Sequence, residues 1–327
     1  MSRAVVTGGG GFIGAYLVRA LVRGGWNVTV VDNLARGLAS RLADVEGEIE
    51  WRKGDVRDAE LMTEATRGAD VVFHLAAVNG TENFYNHPDL VLDVGVRGVL
   101  AIVDAAARNG VPDLVVASSA EVYQTPPVVP TDETVPLMLP DSLNPRYSYG
   151  GSKILTELVA FNYHRDRFRK VQAFRPHNVY GPDMGWKHVL PQFIMRALAA
   201  MREHPAGPVP FPIQGDGSET RAFCYVDDIV DGILLMHAEG EHRNVYHIGN
   251  PEMVSIADLV ALLGNHFERD FRLVPSPAAT GGTRVRCPDI GKLAALGYRP
   301  RVPLAEGLAR TAAWYGGNDA PGEGGLL

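Results

Sequence analysis

Gly8, Gly11 and Gly14 stand at every third position between an apolar run, Ala4 to Val6, and a helical pattern of Phe12, Ile13, Tyr16, Leu17, Ala20 and Leu21. The order strand, glycine loop, helix constrains the fold more than any other feature of the chain. Without side chains on those residues, backbone N–H groups can approach an anion at the start of the helix. Gly24-Gly25 ends that helix, and Trp26 to Val31 reads as a second strand that finishes at Asp32, 18 residues beyond Gly14. A strand, a helix and a parallel strand joined in this way belong to a doubly wound sheet.

The acid at the second strand end indicates the ligand. A carboxylate placed there accepts hydrogen bonds from adenosine ribose hydroxyls and repels a 2′-phosphate, so the pattern predicts NAD rather than NADP. Arg36 opposes that reading, because a nearby guanidinium can receive the phosphate. Later strand ends converge on the same edge: Ile49-Glu50-Trp51 leads to Asp55-Val56, expected near adenine, and Val71 to His74 leads to Leu75-Ala76-Ala77, small enough for the dinucleotide to pass closely. Asp55 is also read as a helix N-cap.

Alternation continues through Leu90 to Arg108, Leu114 to Ala117, Tyr147 to Arg167 and Val171 to Phe174, which predicts an α/β fold, a parallel Rossmann sheet with helices on both faces. From Pro176 onward proline, glycine and polar turns increase. Helices are expected at His188 to Glu203, Asp228 to His237, Ser255 to Phe267 and Leu304 to Tyr315. Short strands at Phe223 to Val226 and Tyr246 to Ile248 are read as returning to the main sheet. The expected division is an NAD-binding domain over 1–175, with returning segments near 221–250, and a smaller interleaved lobe over 176–327. Only the tail from Gly316 to Gly325 reads as flexible.

Tyr149 and Lys153 lie one helical turn apart and share a helix face. A phenol is a poor base near neutral pH, its unperturbed pKa being about 10. A lysine ammonium and a bound oxidised nicotinamide would each favour the phenolate. Ser119, in the pair that ends an apolar strand, adds a hydroxyl. The set suits removal of a proton from a sugar hydroxyl while hydride leaves the same carbon.

Composition closes other routes. A net charge of −7 and the absence of a basic run with interleaved aromatics argue against a nucleic-acid partner. Apolar stretches are strand length, short of a membrane span, so a cytoplasmic protein is expected. Cys224 and Cys287 fall outside any metal-ligand spacing and are read as packing residues, with no metal.

Together these fragments resemble an extended short-chain dehydrogenase/reductase of the nucleotide-sugar epimerase, dehydratase and decarboxylase group. The resemblance runs through Thr7-Gly8-x-x-Gly11-x-x-Gly14, Asp32-Asn33, Asp55-Val56, His74 to Ala77, Ser118-Ser119-x-x-Val122-Tyr123, Tyr149 to Lys153, Arg175-Pro176-x-Asn178-Val179-Tyr180-Gly181-Pro182, and Gly215-Asp216-Gly217 followed by Arg221. It implies that Ser119 and Tyr149 touch the reacting sugar hydroxyl, that Lys153 also holds the nicotinamide ribose and that Pro176 lies by the nicotinamide. It further implies that Asn178, Arg221 and Arg286 hold the diphosphate of a nucleoside-diphosphate sugar and that the segment around Val189 packs on the base. Asn83 to Pro88 is similar to the carboxylate-side loop of the UDP-glucuronate decarboxylases, and Thr81 at its edge is a substrate candidate. A homodimer is implied through the helices Leu90 to Arg108 and Tyr147 to Arg167. Val99, Ile102, Leu155 and Val159 are candidates for either its interface or the core.

Departures narrow the chemistry. Gly95 stands where many relatives carry asparagine, and Gln124 stands where glycine is common. A 4,6-dehydratase typically has aspartate and the decarboxylases serine at the position of Ala120, whereas a 4-epimerase needs no acid there. The expectation is therefore an epimerase acting at C4 through a transient 4-keto sugar, with decarboxylation next, then 4,6-dehydration or 3,5-epimerisation with Glu121 as acid/base. A non-catalytic NAD sensor is the reading from another class, which the complete set of Ser119, Tyr149 and Lys153 disfavours.

Overall fold

The computed structural model describes residues 1–277 and 285–318, so the expectation for the terminal tail falls largely outside the described residues. The chain runs β1 (Arg3–Thr7), α1 (Phe12–Arg23), β2 (Asn27–Asp32), a 3-10 segment (Ala39–Glu48), β3 (Ile49–Lys53), α2 (Ala59–Ala65), β4 (Val71–His74), α3 (Thr81–Asn86), α4 (Pro88–Arg108) and β5 (Asp113–Ala117). It continues with α5 (Ser148–Asn162), β6 (Lys170–Pro176), β7 (Val179–Tyr180), α6 (Val189–Glu203), β8 (Val209–Gln214), β9 (Thr220–Ala222), β10 (Cys224–Tyr225), α7 (Val226–Glu239) and β11 (Asn244–Ile248). The last elements are β12 (Met253–Ser255), α8 (Ile256–Phe267), β13 (Phe271–Ser276), β14 (Val285–Arg286), α9 (Gly291–Ala294) and α10 (Leu304–Gly316).

Seven parallel strands in the order β11-β6-β5-β4-β1-β2-β3 form the main sheet. The strand order switches direction between β1 and β4, which opens a crevice at the carboxyl ends of those parallel strands. Strands buried on both faces read as continuous apolar runs, and Val71-Val72-Phe73 and Leu114-Val115-Val116 each show 1% exposure or less. One core packs α1 and α7 on the sheet through Leu17, Val18, Ile229 and Ile233. The other packs α2, α4 and α5 through Met62, Val99, Ile102 and Ala160. Each large apolar side chain buried in these layers contributes roughly 1.5–3 kcal/mol before chain entropy is counted.

A third core, around Tyr180, Tyr225, Leu259 and Leu308, belongs to the C-terminal lobe. Of the two strands expected to return to the main sheet, β11 does so beside β6. The other does not: Cys224 and Tyr225 pair with Val179 and Tyr180 in a separate two-stranded sheet. Two short strands that leave the sheet edge together satisfy each other's backbone groups, so the main sheet needs no further strand there. Helix α5 stops at Asn162 rather than Arg167, because Tyr163 turns extended and His164 adopts a φ of 52°.

Val99 and Ile102 are core residues, both with 0% exposure, while Leu155 stays 40% exposed and Leu158 beside it 53%. Gly95 explains its own departure from asparagine. A Cβ there would lie 2.7 Å from Ser152 Cβ, so its absence lets α4 and α5 approach. Gln124 takes a φ of 54° in place of a glycine and donates its amide to the Glu121 carbonyl at 2.6 Å.

Candidate active site

The glycine loop is built as a cradle. Gly8 has a φ of 72°, and a Cβ on it would lie 2.8 Å from Ala76 N, while one on Gly14 would strike the Gly8 carbonyl. Helix α1 begins after Gly11 with no side-chain cap, so its first-turn N–H groups remain available for an anion. Phe12 and Ile13 form that first turn, with the Phe12 ring near Gly181 of the lobe connection.

Asp32 ends β2 and accepts from Gly10 N at 3.0 Å and Leu34 N at 2.8 Å. Burial raises its carboxyl pKa against those two bonds. Asn33 donates to Asp55 at 3.1 Å. Asp55 is not the cap of α2; Asp58 caps it by accepting from the backbone of Glu60 and Leu61. Asp55 instead pairs with Arg57, whose hydrogen bonds hold its pKa down to about 2. Val56 is buried beneath Gly98 of α4. Leu75, Ala76 and Ala77 follow β4 directly, with Ala76 under Gly8. This floor of small residues, with open N–H groups and an acid at the end of β2, fits a dinucleotide without a 2′-phosphate.

Tyr149 lies at the first turn of α5 and is 7% exposed. Burial pushes its phenol up to about 12, against a hydrogen bond from the Ser119 hydroxyl and the Arg36 guanidinium, which favour the phenolate. Lys153 follows one turn later, with Nζ 5.7 Å from the centre of the Tyr149 ring. Its ammonium donates to the Ala117 carbonyl at 2.7 Å, and burial pushes its pKa down to about 8. The Glu121 carboxylate adds to the rise, and the Arg36 guanidinium opposes it. Arg36 itself bonds the Asn79 carbonyl, on the connection that follows β4.

Phe84 of α3 stacks on Tyr149. Thr81, the residue singled out in that loop, is exposed at the start of α3, so Phe84 is what the helix brings to the site. Pro176 ends β6, opposite Ile248. Asn178, at a φ of 38°, gives its amide to the Ala222 carbonyl at 2.9 Å and so joins the lobe to the sheet edge. Val189 starts α6 and is 48% exposed.

Glu121 lies two residues after Ser119 and accepts from Arg286 at 2.7 Å, with Arg146 at 3.6 Å. Burial opposes its ionisation, but Arg286, Arg146 and Arg221 together hold its carboxyl below the usual range. Arg221 and Arg286 are neighbours in the β9–β14 register. Arg146 was not foreseen; its only signal was its place three residues before Tyr149, where a 3-10 turn aims it at the same cleft. Ala120 brings no polar group.

Behind these residues Arg175 grips Glu157 with bonds of 2.8 and 2.6 Å, and Ser118 donates to the same carboxylate. Arg175 also bonds the Tyr123 hydroxyl. Because His247 Nδ1 faces the Asp289 carbonyl at 3.1 Å and must donate, its Nε2 accepts from Tyr123 at 2.6 Å. Cys224 and Cys287 are free and buried.

The model of the NAD dependent epimerase/dehydratase family matches residues 4–249. The chain is 32% identical to the UDP-glucose 4-epimerase of Mycolicibacterium smegmatis over 96% of its length and 98% of that protein's. It is 30% identical to UDP-glucuronic acid decarboxylase 1 of Danio rerio over 96% of its length and 72% of that protein's. DesIV, the dTDP-glucose 4,6-dehydratase of Streptomyces venezuelae solved with NAD bound, superposes with a TM-score of 0.84 at 32% identity, covering 97% of each chain. With its glycine cradle, the acid at the end of β2 and its Ser, Tyr and Lys set, the chain belongs to the NAD dependent epimerase/dehydratase family of nucleotide-sugar enzymes, and its cofactor is NAD.

Proposed function

We propose that the chain is a nucleotide-sugar epimerase that inverts C4. NAD, when bound, supplies the hydride acceptor at the sugar carbon and returns that hydride. Tyr149 takes the proton from the C4 hydroxyl, Ser119 orients that oxygen, and Lys153 holds its ammonium beneath the Tyr149 ring. The same phenol gives the proton back when hydride reaches the other face of the ketone. Arg221 and Arg286 serve the diphosphate because guanidinium groups fork onto phosphate oxygens. Thr81, Asn178 and Val189 line the approach to the substrate, and the exposed Leu155 and Leu158 face a second copy of the chain.

One observation carries the choice at the second step. Ala120 offers no acid, and Glu121 is held ionised by Arg286 and Arg146, so among the described residues beside Ser119 no carboxylic acid is ready to protonate a departing C6 hydroxyl. Epimerisation needs none. Decarboxylation is the second reading, favoured by the same guanidinium groups, since Arg146 and Arg286 flank the place that a sugar carboxylate would take.

Turnover of UDP-glucose, dTDP-glucose and UDP-glucuronate in deuterated water, followed by NMR, separates the readings. A C4 epimer free of solvent deuterium on carbon is the expected product. Loss of the carboxyl carbon from UDP-glucuronate establishes the decarboxylase instead. Deuterium at C3 or C5 indicates enolisation, and absence of any product removes the enzymatic reading for these sugars.

A further inference from the structure

Two arginines of one connection reach opposite lips of the cofactor cleft. After β2, Arg36 bonds the Asn79 carbonyl on the connection that follows β4. Arg41 turns the other way and grips Asp183, on the connection that follows β7. Its Nε meets Oδ2 at 2.7 Å, and its Nη2 meets Oδ1 at 2.8 Å and the Asp183 carbonyl at 3.0 Å. The remaining nitrogen, Nη1, donates to the Gly10 carbonyl at 3.2 Å. One guanidinium therefore joins the glycine loop to the lobe, directly above the start of α1.

The far side of this bridge is shaped to stay in place. Asp183 has a φ of 59° and Gly185 one of 95°, so the turn is set by its backbone. Tyr315 donates to the Gly185 carbonyl at 2.9 Å, and the Trp186 ring packs edge-on against Tyr315. Lys187 pairs with Glu82 of α3, on the opposite lip. That outer pair is exposed and screened, whereas the Arg41 side chain is 9% exposed and its fork is satisfied by both carboxylate oxygens.

We propose that Arg41 and Asp183 form a latch that holds residues 182–188 closed over the glycine loop and so retains NAD from one turnover to the next. The inference rests on NAD as cofactor and not on the choice of sugar. A cofactor that gets its hydride back is not consumed, and a protein that keeps it closed in loses nothing. Arg41 and Asp183 act here as positioning residues, through the segment they fasten.

Release of NADH tests the latch. The holoprotein is loaded with NADH, excess NAD is added, and the loss of bound-NADH fluorescence is timed for wild type, D183N, R41Q and the double variant. Release from D183N and from R41Q is expected to be about ten-fold faster, equivalent to about 1.4 kcal/mol, and no faster still in the double variant. Hydrogen exchange of the cofactor-free chain supplies the second readout, with the amides of residues 183–188 expected to exchange faster in D183N. Unchanged NADH release in D183N overturns the latch, whether or not exchange accelerates. Additive effects in the double variant overturn it as well, because the two residues would then act separately. Asp183 is the more exposed partner, so D183N stands as the test if R41Q does not fold. A wild-type chain that binds no NADH at all removes the cofactor assignment itself, a different failure from a wild type that binds NADH and releases it as fast as D183N, which overturns the latch.

Discussion

Phe84 lies face to face with Tyr149, ring centroids 5.1 Å apart and planes inclined by 13°. The stack covers one face of the ring and adds to the burial that raises the pKa of the phenol. Y149F removes the oxygen but keeps the ring and the stack. Its turnover is expected to fall by a factor on the order of 10²–10⁴, with an unchanged melting temperature. F84A is expected to lower the melting temperature and to move the alkaline limb of kcat, since the phenol would then meet water. A pH profile of kcat for F84A that overlays wild type would deny Phe84 this role.

Glu121 tests the second step. E121Q keeps the shape and loses the charge that Arg286 and Arg146 face, so KM for the nucleotide sugar is expected to change by a larger factor than kcat. Single-turnover measurement of hydride transfer checks this. Abolished turnover with undiminished substrate binding would make Glu121 a proton carrier instead.

Gly14 tests the cradle. A methyl group at this position would strike the Gly8 carbonyl, which is backbone and cannot step aside. G14A is expected to lose NAD binding by at least about ten-fold, as measured by calorimetry, because the start of α1 must shift away from the loop.

Acid should loosen the fold before carboxylates titrate. Burial pushes His74 down to about 3 and His247 to about 4, and it also holds His177 well below the ordinary imidazole range, with His247, Arg286 and Arg175 adding to the effect. In the unfolded chain these rings take up a proton near 6.5, so the unfolded state binds more protons as pH falls below that value. Their contribution is complete above pH 6.5 and declines by about 1.4 kcal/mol per pH unit for each histidine as pH drops toward the folded values. Melting temperatures measured from pH 7 down to pH 5 are expected to fall, with a shallower slope in H247N. A flat profile would mean that these rings are solvated.

The exposed Leu155 and Leu158 on α5 provide a further check. L158D is expected to elute as a monomer in size-exclusion chromatography with the wild type eluting as a dimer. A wild-type monomer would remove the proposed interface.

Much of the cofactor half could be read directly from residue order. Gly8, Gly11, Gly14 and Asp32 each have a local cause, a turn or a strand end, and local causes leave marks in sequence. The placement of Cys224 and Tyr225 did not follow, because β10 takes a partner from β7 across a long separation and a two-residue strand carries no period. Arg146 went unnoticed for a related reason, since its link to Glu121 is made only by packing. Phe84 lay in a loop already singled out, but its stack on Tyr149 is likewise a matter of packing that residue order does not carry. Asp55 misled because three acidic or polar residues precede α2 and spacing alone does not choose among them; the backbone places Asp58 at the cap.

Asp32 has one more consequence. Its carboxylate already holds Gly10 and Leu34, and a Cβ on Gly37 would press against it at 2.7 Å. The group that would greet the ribose is thus also the knot that ties its own loop. Converting the protein to a phosphorylated cofactor by replacing this acid would untie the loop while changing the preference. Such a redesign has to supply a new fastening for Gly10 and Leu34 before it supplies a new cation.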